Sequence, residues 1–565
     1  MKKIILPFLL LISILSFGQK KYPKNYFRSP LDIPIVLSGT FGELRSNHFH
    51  SGIDIKTQRK EGLDVFATAD GYVSRIKISL WGYGKVIYIT HPNGYTSVYA
   101  HLSKFGKGIE EYVKKNQYKK ENYETGNIYL KAGSIPVKKG QIIGFSGSTG
   151  GFVAPHLHYE IRDTNSEKII NPMLFGVSVK DTIPPVFKGL FVYPLNESSR
   201  INKSVKKTLL PFKLKGKNKF ITNRISANGS IGFAVNLHDQ LNNAYNKNGI
   251  YSLEMFVNGE KVYHHNLEIF SFKESKYINL LIDYTQYSRY KRRFQKTHIV
   301  NGNKLSIYKK LKNNGILNIK KGFNYNVDIV ATDFKGNKSI LTIPIRGIES
   351  NAVFRKQRDT TAYKIISTLF HKFQQKDVTV AFPKNTFYNN LYLDFNVKNG
   401  IAQIHKPNIP LDKKYTLTFD VSNYTEDEKN QLYIANINNK KYPNYQNTVK
   451  KKLKFYTTTK TLGKYTLLTD NQRPEIKLRN FKHKQWLSKV TQLIVEISDK
   501  GSGIKSYRAT IDGQWILMEY NLKKSQLVYQ FNDKKLVGSK HEFAIVVSDN
   551  VGNTNMLSAT FYKKQ

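Results

Sequence analysis

Histidine and aspartate side chains that could bind a metal are concentrated near the start of this 565-residue chain. Six of its 14 histidines precede residue 160, and the segment NHFHSGIDIKT (47–57) brings His48, His50 and Asp54 close together in sequence. The other four are His91, His101, His156 and His158. Zinc takes imidazole nitrogens and carboxylate oxygens as ligands, and a catalytic zinc site leaves one position open for water. His50, Asp54 and His158 would supply two nitrogens and one oxygen to such a site.

The strand pattern around His101 indicates which side chains share a face, because successive side chains of a strand alternate. In YTSVYAHL (95–102), one face is mostly apolar and is predicted to be core; it consists of Thr96, Val98, Ala100 and Leu102. The other face is predicted to point into solvent or a cleft; it consists of Tyr95, Ser97, Tyr99 and His101.

The segment HLHYEIR (156–162) repeats this alternation. Its predicted core face consists of Leu157, Tyr159 and Ile161, and its opposite face of His156, His158, Glu160 and Arg162. Two imidazoles at positions i and i+2 of a strand stand side by side and can serve one ion, although a His-x-His pair alone is a weak signal. Glu160 is predicted either to orient a ligand imidazole by accepting its hydrogen bond or to form a structural salt bridge.

Two further histidines are not needed for this site. His48 shares strand parity with His50 and is predicted to lie at the surface or beside the site. His91 precedes Pro92 and an Asn93-Gly94 turn, which places it at a hairpin tip.

Several segments together resemble the lysostaphin-like zinc endopeptidases of family M23, which cut peptide cross-links of peptidoglycan. HFHSGIDI fits their His-x-x-x-Asp motif, VYAHL a downstream histidine motif, and GSTGGFVAPHLHYEIR the terminal His-x-His motif. DVFATADGYVSRI (64–76) and VKKGQIIGFSGSTG (137–150) are similar to core strands of that family. The resemblance covers roughly residues 38–175.

The resemblance implies a LytM-like antiparallel β domain that binds one Zn²⁺ per chain. Carried over position by position, it makes the zinc ligands His50, Asp54 and His158. It makes the catalytic histidines His101 and His156, without saying which of the two is the base. The implied substrates are stem or cross-bridge peptides of peptidoglycan. All five positions carry the expected residue, which argues against a degenerate, inactive copy.

The start of the chain is predicted to be a cleaved secretory signal. Lys2 and Lys3 precede the apolar run 4–17, which is short for a membrane span, and small residues precede a predicted cut before Gln19. An uncleaved anchor is the alternative. No transmembrane segment is expected in the mature chain, which we place in the periplasm or cell envelope, with secretion as a further option. The chain has no cysteine, so it has neither disulfides nor a thiol for lipid attachment.

The formal charge of +48, from 89 Lys and Arg against 41 Asp and Glu, raises the question of an anionic partner. The basic residues are spread along the chain, and export would place it among wall polymers and outer-membrane lipid. No nucleic-acid partner is therefore expected.

The composition predicts a mainly β fold, because Tyr, Phe, Ile, Val and Thr, which favour strands, are abundant. Two stretches with similar patterns, starting at GIYSLEMF (249–256) and GIKSYRAT (503–510), each lead to a hairpin with an Asp-x-x-Gly-Asn turn, as in Ig-like β-sandwiches. These turns could suggest calcium, but side-chain capping of a tight turn is the preferred interpretation, and no metal site is assigned there.

The predicted boundaries follow from these patterns. The signal peptide is predicted at 1–18 and the peptidase domain at 19–178, with a solvated insertion at about 107–131 that a helix would also fit. A β-sandwich with the basic insertion SRYKRRFQKTH follows at 179–350. The remaining units are a β-rich domain of uncertain type at 351–465 and an Ig-like β-sandwich at 466–565.

The sequence therefore predicts an exported zinc endopeptidase whose β units position it on the wall or on an envelope protein partner. One alternative is a non-hydrolytic regulator of another wall hydrolase built on the same fold. The other is an envelope scaffold or adhesin built on the β domains.

Overall fold

The computed structural model describes residues 22–151, 154–349 and 360–564. The predicted signal peptide lies outside these residues. The described chain is mostly β-strand, as the composition predicts. Within the described ranges, no helix combines the length and the apolar character that crossing a bilayer requires.

The first unit contains short strands rich in β-branched and aromatic residues, which favour extended backbone. They are β1 (Leu37–Gly39), β2 (Ile53–Lys56), β3 (Asp64–Phe66), β4 (Gly71–Ile78), β5 (Lys85–Thr90), β6 (Tyr95–Leu102), β7 (Lys104–Phe105), β8 (Gly126–Tyr129), β9 (Pro136–Val137), β10 (Ile142–Phe145), β11 (His156–Asp163) and β12 (Ile169–Ile170), with helix α1 (Lys107–Lys120) between β7 and β8.

Two sheets enclose the core of this unit. The larger one runs in the order β1-β2-β11-β6-β5-β4-β8, and the pairs that join these strands are antiparallel. The smaller sheet has the order β3-β10-β7. Apolar side chains from both sheets belong to one buried cluster. Strand β11 lies between β2 and β6, so residues from three separated parts of the sequence become neighbours.

The face prediction is correct for β11 and wrong for most of β6. Leu157, Tyr159 and Ile161 are buried in the main core. On β6, however, Tyr99 faces that core and contacts Tyr159 at a ring-centroid distance of 5.4 Å. Val98 and Ala100 belong to a separate small cluster on the other side of the sheet. Both faces of β6 are buried, so apolar alternation alone does not identify the core side.

The second unit is built of strands and short helices around its own core. The strands are β13 (Val186–Pro194), β14 (Arg200–Ile201), β15 (Thr208–Leu210), β16 (Phe212–Gly216), β17 (Lys219–Thr222), β18 (Ile225–His238), β19 (Ser252–Val257), β20 (Glu260–Asn266), β21 (Ile269–Phe270), β22 (Phe294–Lys296), β23 (Tyr308–Leu311), β24 (Leu317–Ile319), β25 (Asn324–Thr332) and β26 (Lys338–Gly347). The helices are α2 (Phe272–Ser275), α3 (Ile278–Leu281) and α4 (Tyr284–Tyr290). The long strand β18 pairs antiparallel with β13 and, through its first residues, parallel with β26, so it connects two layers.

The third unit packs two five-stranded sheets around a third core. Its elements are β27 (Lys364–Ile365), β28 (His371–Gln375), β29 (Val378–Phe382), β30 (Leu391–Tyr392), β31 (Phe395–Lys398), β32 (Ile401–Ile404), β33 (Tyr415–Asp420), α5 (Glu426–Gln431), β34 (Leu432–Asn436), β35 (Asn444–Tyr445), β36 (Val449–Lys451), β37 (Lys454–Thr459) and β38 (Gly463–Thr469).

The last unit is a sandwich of a four-stranded and a five-stranded sheet. Its strands are β39 (Glu475–Leu478), β40 (Gln485–Trp486), β41 (Gln492–Ser498), β42 (Ile504–Ile511), β43 (Gln514–Trp515), β44 (Glu519–Asn521), β45 (Gln526–Gln530), β46 (Lys540–Asp549) and β47 (Thr554–Tyr562). The Ig-like classification and the exact domain boundaries remain predictions.

The core of the first unit is completed by residues from later units. Strand β12 pairs with β21 of the second unit, and Phe270 and Leu281 belong to the first unit's buried cluster. From the last unit, Trp515 packs against Tyr118 of α1 with ring centroids 5.2 Å apart. The first part of the predicted insertion is therefore a helix with one face buried, and the segment also contains strand β8.

Candidate metal centre and active site

The register between β2 and β11 brings three predicted metal ligands together. His158 lies directly opposite Asp54, and His50 lies three residues before the first residue of β2. The distance from His50 Nε2 to Asp54 Oδ1 is 3.0 Å, and that from His158 Nδ1 to the same oxygen is 2.8 Å. The two inward-facing nitrogens are 3.2 Å apart. All three side chains are buried.

The outward nitrogens of the two imidazoles show that this centre fits a metal ion. His50 Nδ1 donates to the carbonyl oxygen of Thr40 at 2.7 Å, and His158 Nε2 donates to Glu160 Oε1 at 2.9 Å. In the neutral rings the inward nitrogens then carry lone pairs that face each other and a carboxylate. Three lone-pair donors repel unless a cation lies between them. Ligands of a tetrahedral zinc ion are about 3.3 Å apart, close to the observed spacing.

The carboxylate of Asp54 is oriented by a residue that the sequence pattern did not identify. Arg45 Nη2 lies 3.2 Å from Asp54 Oδ2, which leaves Oδ1 to face the imidazoles. Burial alone would raise the pKa of Asp54, but the neighbouring His50 charge and hydrogen bonds from the surrounding histidines hold it well below its usual value. The group is therefore ionised, as a metal ligand must be.

Glu160 is the partner that orients His158. Its carboxylate is fully buried and also accepts hydrogen bonds from Tyr83 Oη at 2.5 Å and Arg162 Nε at 2.7 Å. Burial would raise the pKa of Glu160, but Arg162 and His158 lower it below the usual range. Burial would likewise lower the pKa of His158, but the flanking Asp54 and Glu160 carboxylates raise it to about 9. The two carboxylates that flank His158 therefore stabilise a positive charge at this centre.

His101 reaches the centre through an irregularity in β6. The backbone of His101 has φ = 61°, and the pairing of β5 with β6 shifts register next to it. Such a left-handed conformation is uncommon for a residue other than glycine and costs on the order of 1–3 kcal/mol. Its Nδ1 donates to the carbonyl oxygen of Thr149 at 2.8 Å. Burial, and then the neighbouring His158 and His156, lower the pKa of His101 to about 3, so the ring is neutral near pH 7.

His156 stands at the more open side of the same centre. Its Nδ1 donates to the carbonyl oxygen of Ala154 at 2.7 Å, and its Nε2 lies 3.5 Å from Asp54 Oδ1. The rings of His101 and His156 have centroids 4.7 Å apart. The structure therefore brings all five predicted site residues together, with two imidazoles beside the three-ligand centre.

The two other histidines of the region lie away from this centre. His48 is exposed, and its Nδ1 donates to the carbonyl oxygen of Ser46. His91 lies at the turn between β5 and β6 but is buried, contacting Ser97 Oγ through Nε2 at 2.7 Å. Burial lowers the pKa of His91 to about 4, so it is a neutral structural residue.

Glycines allow close packing of the two loops that carry Tyr83 and Thr149. These glycines are the feature of the sequence that could have identified Tyr83 and Thr149 as residues near the site. A Cβ atom on Gly150, where φ is +92°, would lie 2.2 Å from the carbonyl oxygen of Gly82. The loop that carries Thr149 therefore packs backbone to backbone against the turn that carries Tyr83. Close approaches of this kind need glycine, and WGYG (81–84) and GSTGG (147–151) provide it.

Comparison with known proteins assigns this unit to a family. Residues 48–120 match Peptidase family M23. The chain therefore contains an M23 peptidase domain. The His–Asp–His centre of this domain fits Zn²⁺.

Curated relatives of the M23 domain include peptidoglycan hydrolases. The DD-carboxypeptidase/endopeptidase Mpg of Neisseria meningitidis is 36% identical over 119 residues, which are 21% of this chain and 21% of Mpg. The peptidoglycan DD-endopeptidase ShyA of Vibrio cholerae is 32% identical over 28% of this chain and 33% of its own length. The glycyl-glycine endopeptidase ALE-1 of Staphylococcus capitis is 33% identical over 26% and 30%, respectively. The chain thus spans between a fifth and a third of the length of these relatives.

The third unit also has a family match. Residues 367–470 match the Zu5-like domain family. The sequence patterns left the type of this β-rich unit open, and the match supplies it.

Proposed function

We propose that the chain is an exported zinc endopeptidase that hydrolyses peptide cross-links of peptidoglycan. The observation that carries this proposal is the convergence of three buried lone-pair donors, His50, Asp54 and His158, beside two further histidines. The names of the relatives support peptidoglycan as the substrate. They include enzymes for both D-amino-acid and glycyl-glycine bonds, so the bond that this chain cleaves remains to be identified.

Zinc at this centre would polarise a peptide carbonyl and lower the pKa of a bound water from about 15.7 to about 7. The protein supplies the proton transfer. Because Nδ1 of His101 and Nδ1 of His156 each donate to a backbone carbonyl, the Nε2 atom of each neutral ring carries a lone pair. Either Nε2 can accept the proton of the attacking water and return it to the leaving amine. The other ring, once protonated, can donate to the carbonyl oxygen as negative charge develops there.

The hydrogen bonding of the two rings is the same, since each Nδ1 donates to a backbone carbonyl oxygen. The geometry therefore supports both histidines in these two roles without assigning one role to each.

The test measures zinc content and muropeptide release for the wild type, His158→Ala and the matched control His48→Ala. We expect His158→Ala to lose both zinc and cleavage and His48→Ala to retain both, because His48 is exposed and contacts no ligand. Equal zinc occupancy and equal cleavage in His158→Ala and the wild type would refute the proposal. A wild-type protein that binds zinc but releases no muropeptide from any wall preparation would support the non-hydrolytic regulator instead.

A further inference from the structure

A second group of potential metal ligands lies between the M23 domain and the second unit. Carboxylate oxygens of Asp181, Asp239 and Asp333 lie within 4.8 Å of one another. Asp181 belongs to the connection before β13, Asp239 follows β18, and Asp333 follows β25. In a chain with more than twice as many basic as acidic residues, three carboxylates nevertheless meet. Among the described residues, none of the three forms an ion pair with a lysine or arginine.

The carboxylate of Asp239 lacks the partner that burial requires. Asp239 is only 3% exposed, and its Oδ1 has no hydrogen-bond partner although it is shielded from solvent. Asn248 pairs with Asp239 through reciprocal backbone hydrogen bonds, so the two side chains point to the same face. Asn248 is 2% exposed, and both polar atoms of its amide are also unpartnered. Buried polar atoms without partners are rare in folded proteins. A cation would account for the two oxygens, Asp239 Oδ1 and Asn248 Oδ1, because both carry lone pairs.

The same arrangement recurs in the last unit. Carboxylate oxygens of Asp470, Asp499 and Asp549 also lie within 4.8 Å of one another. Their positions correspond to those of the first trio: a connection before the unit, the residue after a core strand, and the first residue of an Asp-x-x-Gly-Asn turn. Asp499 Oδ1 is again a buried oxygen without a partner.

Backbone N–H groups partner all three carboxylates of the second trio, since Asp470 accepts from Gln472 and Ser502, and Asp499 from Gly501 and Gly503. In the first trio they partner Asp181, which accepts from Ile183, and Asp333. Asp333 accepts hydrogen bonds from the backbone and side chain of Asn337, and Asp549 does the same with Asn553. The capping interpretation of the sequence is correct for these two residues. It does not account for Asp239, whose Oδ1 is buried without a hydrogen-bond partner.

Each trio lies where one unit meets the next. At the first, Thr40 of the M23 domain exchanges hydrogen bonds with Gly249, the neighbour of Asn248. At the second, Val551 of the last unit packs against the cluster of the third unit that contains Tyr433, and Tyr433 Oη contacts the carbonyl oxygen of Gly501. An ion held by the first trio would therefore connect the M23 domain with the second unit.

Burial and the closeness of the other carboxyl groups disfavour the ionisation of Asp239 and Asp181 in the first trio. Burial first, and then the charges of Asp181 and Asp333, raise the pKa of Asp239 to about 8. Burial and the proximity of Asp333 raise the pKa of Asp181 to about 6. Oxygen-only donors suit hard cations, and Ca²⁺ accepts irregular oxygen geometries that Mg²⁺ tolerates poorly.

We propose that Asp181, Asp239 and Asp333 bind one Ca²⁺ ion. The ion fixes the joint between the M23 domain and the second unit. The proposal is independent of peptidase activity, because none of the three residues belongs to the zinc centre.

The experiment titrates Ca²⁺ into the full zinc-loaded chain by isothermal calorimetry after divalent ions other than zinc have been removed. We expect one bound Ca²⁺ per wild-type chain and none for Asp239→Asn. Asp181→Asn is a second test of the site, since this partly exposed residue is less critical for folding. Asp328→Asn, on β25 of the same unit but outside the trio, is the matched control and should retain the bound ion.

Thermal unfolding provides an independent measure. Without Ca²⁺, Asp239→Asn should melt at a higher temperature than the wild type, because it removes one of three mutually repelling carboxylates. With millimolar Ca²⁺ the wild type should gain more than the variant. A wild type that binds no Ca²⁺ at millimolar concentration, or Asp239→Asn and Asp181→Asn variants that both bind Ca²⁺ as the wild type does, would overturn the proposal.

Discussion

Replacement of Glu160 by glutamine tests whether the residue behind His158 maintains the metal centre. Glu160 is fully buried and accepts hydrogen bonds from His158, Tyr83 and Arg162. Glutamine keeps the size of the side chain but removes its charge and turns an amide group towards one of three donors. The centre would thereby lose the carboxylate that orients the ligand imidazole and balances a buried guanidinium.

Two magnitudes follow from this geometry. Loss of a carboxylate that orients a metal-bound histidine typically lowers metal affinity about 10- to 100-fold, or about 1.4–2.7 kcal/mol. Leaving a buried charge without its partner costs about 3–5 kcal/mol. We expect the lower end of that range for unfolding of the metal-free protein, since Arg162 also lies 3.3 Å from the exposed carboxylate of Glu167.

The assay measures zinc affinity by chelator competition and the free energy of unfolding by urea in metal-free buffer, because bound zinc itself would stabilise the folded state. Glu167→Gln is the matched control: it removes a carboxylate from the same arginine without touching His158, and we expect less than about 1 kcal/mol of destabilisation and unchanged zinc affinity. If Glu160→Gln binds zinc as tightly as Glu167→Gln, the role assigned to Glu160 is wrong.

Three further substitutions test other parts of the molecule. Gly150→Ala should lower peptidase activity at least about tenfold at unchanged zinc content, because it displaces the loop whose Thr149 carbonyl holds His101. The control is Gly94→Ala, which should retain activity in the same muropeptide assay: Gly94 also has a positive φ, +82°, but a Cβ atom there would meet no atom within 4 Å. In Ca²⁺-free buffer the free energy of unfolding of the wild type should fall as the pH rises from about 4 to 8. The reason is that Asp239, whose pKa is about 8 in the folded state and about 3.9 in the unfolded state, favours folding only while it is protonated. In urea titrations, Asp239→Asn should make this pH dependence flatter, and an unchanged slope would contradict the raised pKa. Glu519→Gln should destabilise the chain by about 1–3 kcal/mol in urea unfolding, because Lys85 is buried and loses its 2.9 Å partner from the last unit; no change would mean that this contact between the two units contributes nothing to stability.

The metal centre could be predicted because its side chains come from short motifs with fixed local geometry. In HLHYEIR (156–162), regular alternation places His158 and Glu160 on one face whatever the rest of the fold does. The sequence also left Glu160 with two roles, and the structure shows that it fulfils both, with His158 on one oxygen and Arg162 on the other.

The placement of His101 could not be derived from its strand. Regular alternation would group His101 with Tyr99, which lies in the core. The left-handed backbone at His101 and the register shift beside it turn the imidazole to the site face. Such an irregularity depends on the pairing partner and on the loop that offers the Thr149 carbonyl, and neither is encoded in the local pattern.

The sequence by itself determined the residue types of the candidate zinc centre, the β class of the chain and the turns that Asp333 and Asp549 cap, because these follow from residue identity and short-range periodicity. Only the tertiary structure decided that later units complete the core of the M23 domain and that two aspartate trios assemble at the joints. Burial and proximity between residues distant in sequence depend on how the sheets pack. In the sequence, Asp239 is indistinguishable from an ordinary exposed aspartate. Only the folded structure buries its carboxylate and places the carboxylates of Asp181 and Asp333 beside it.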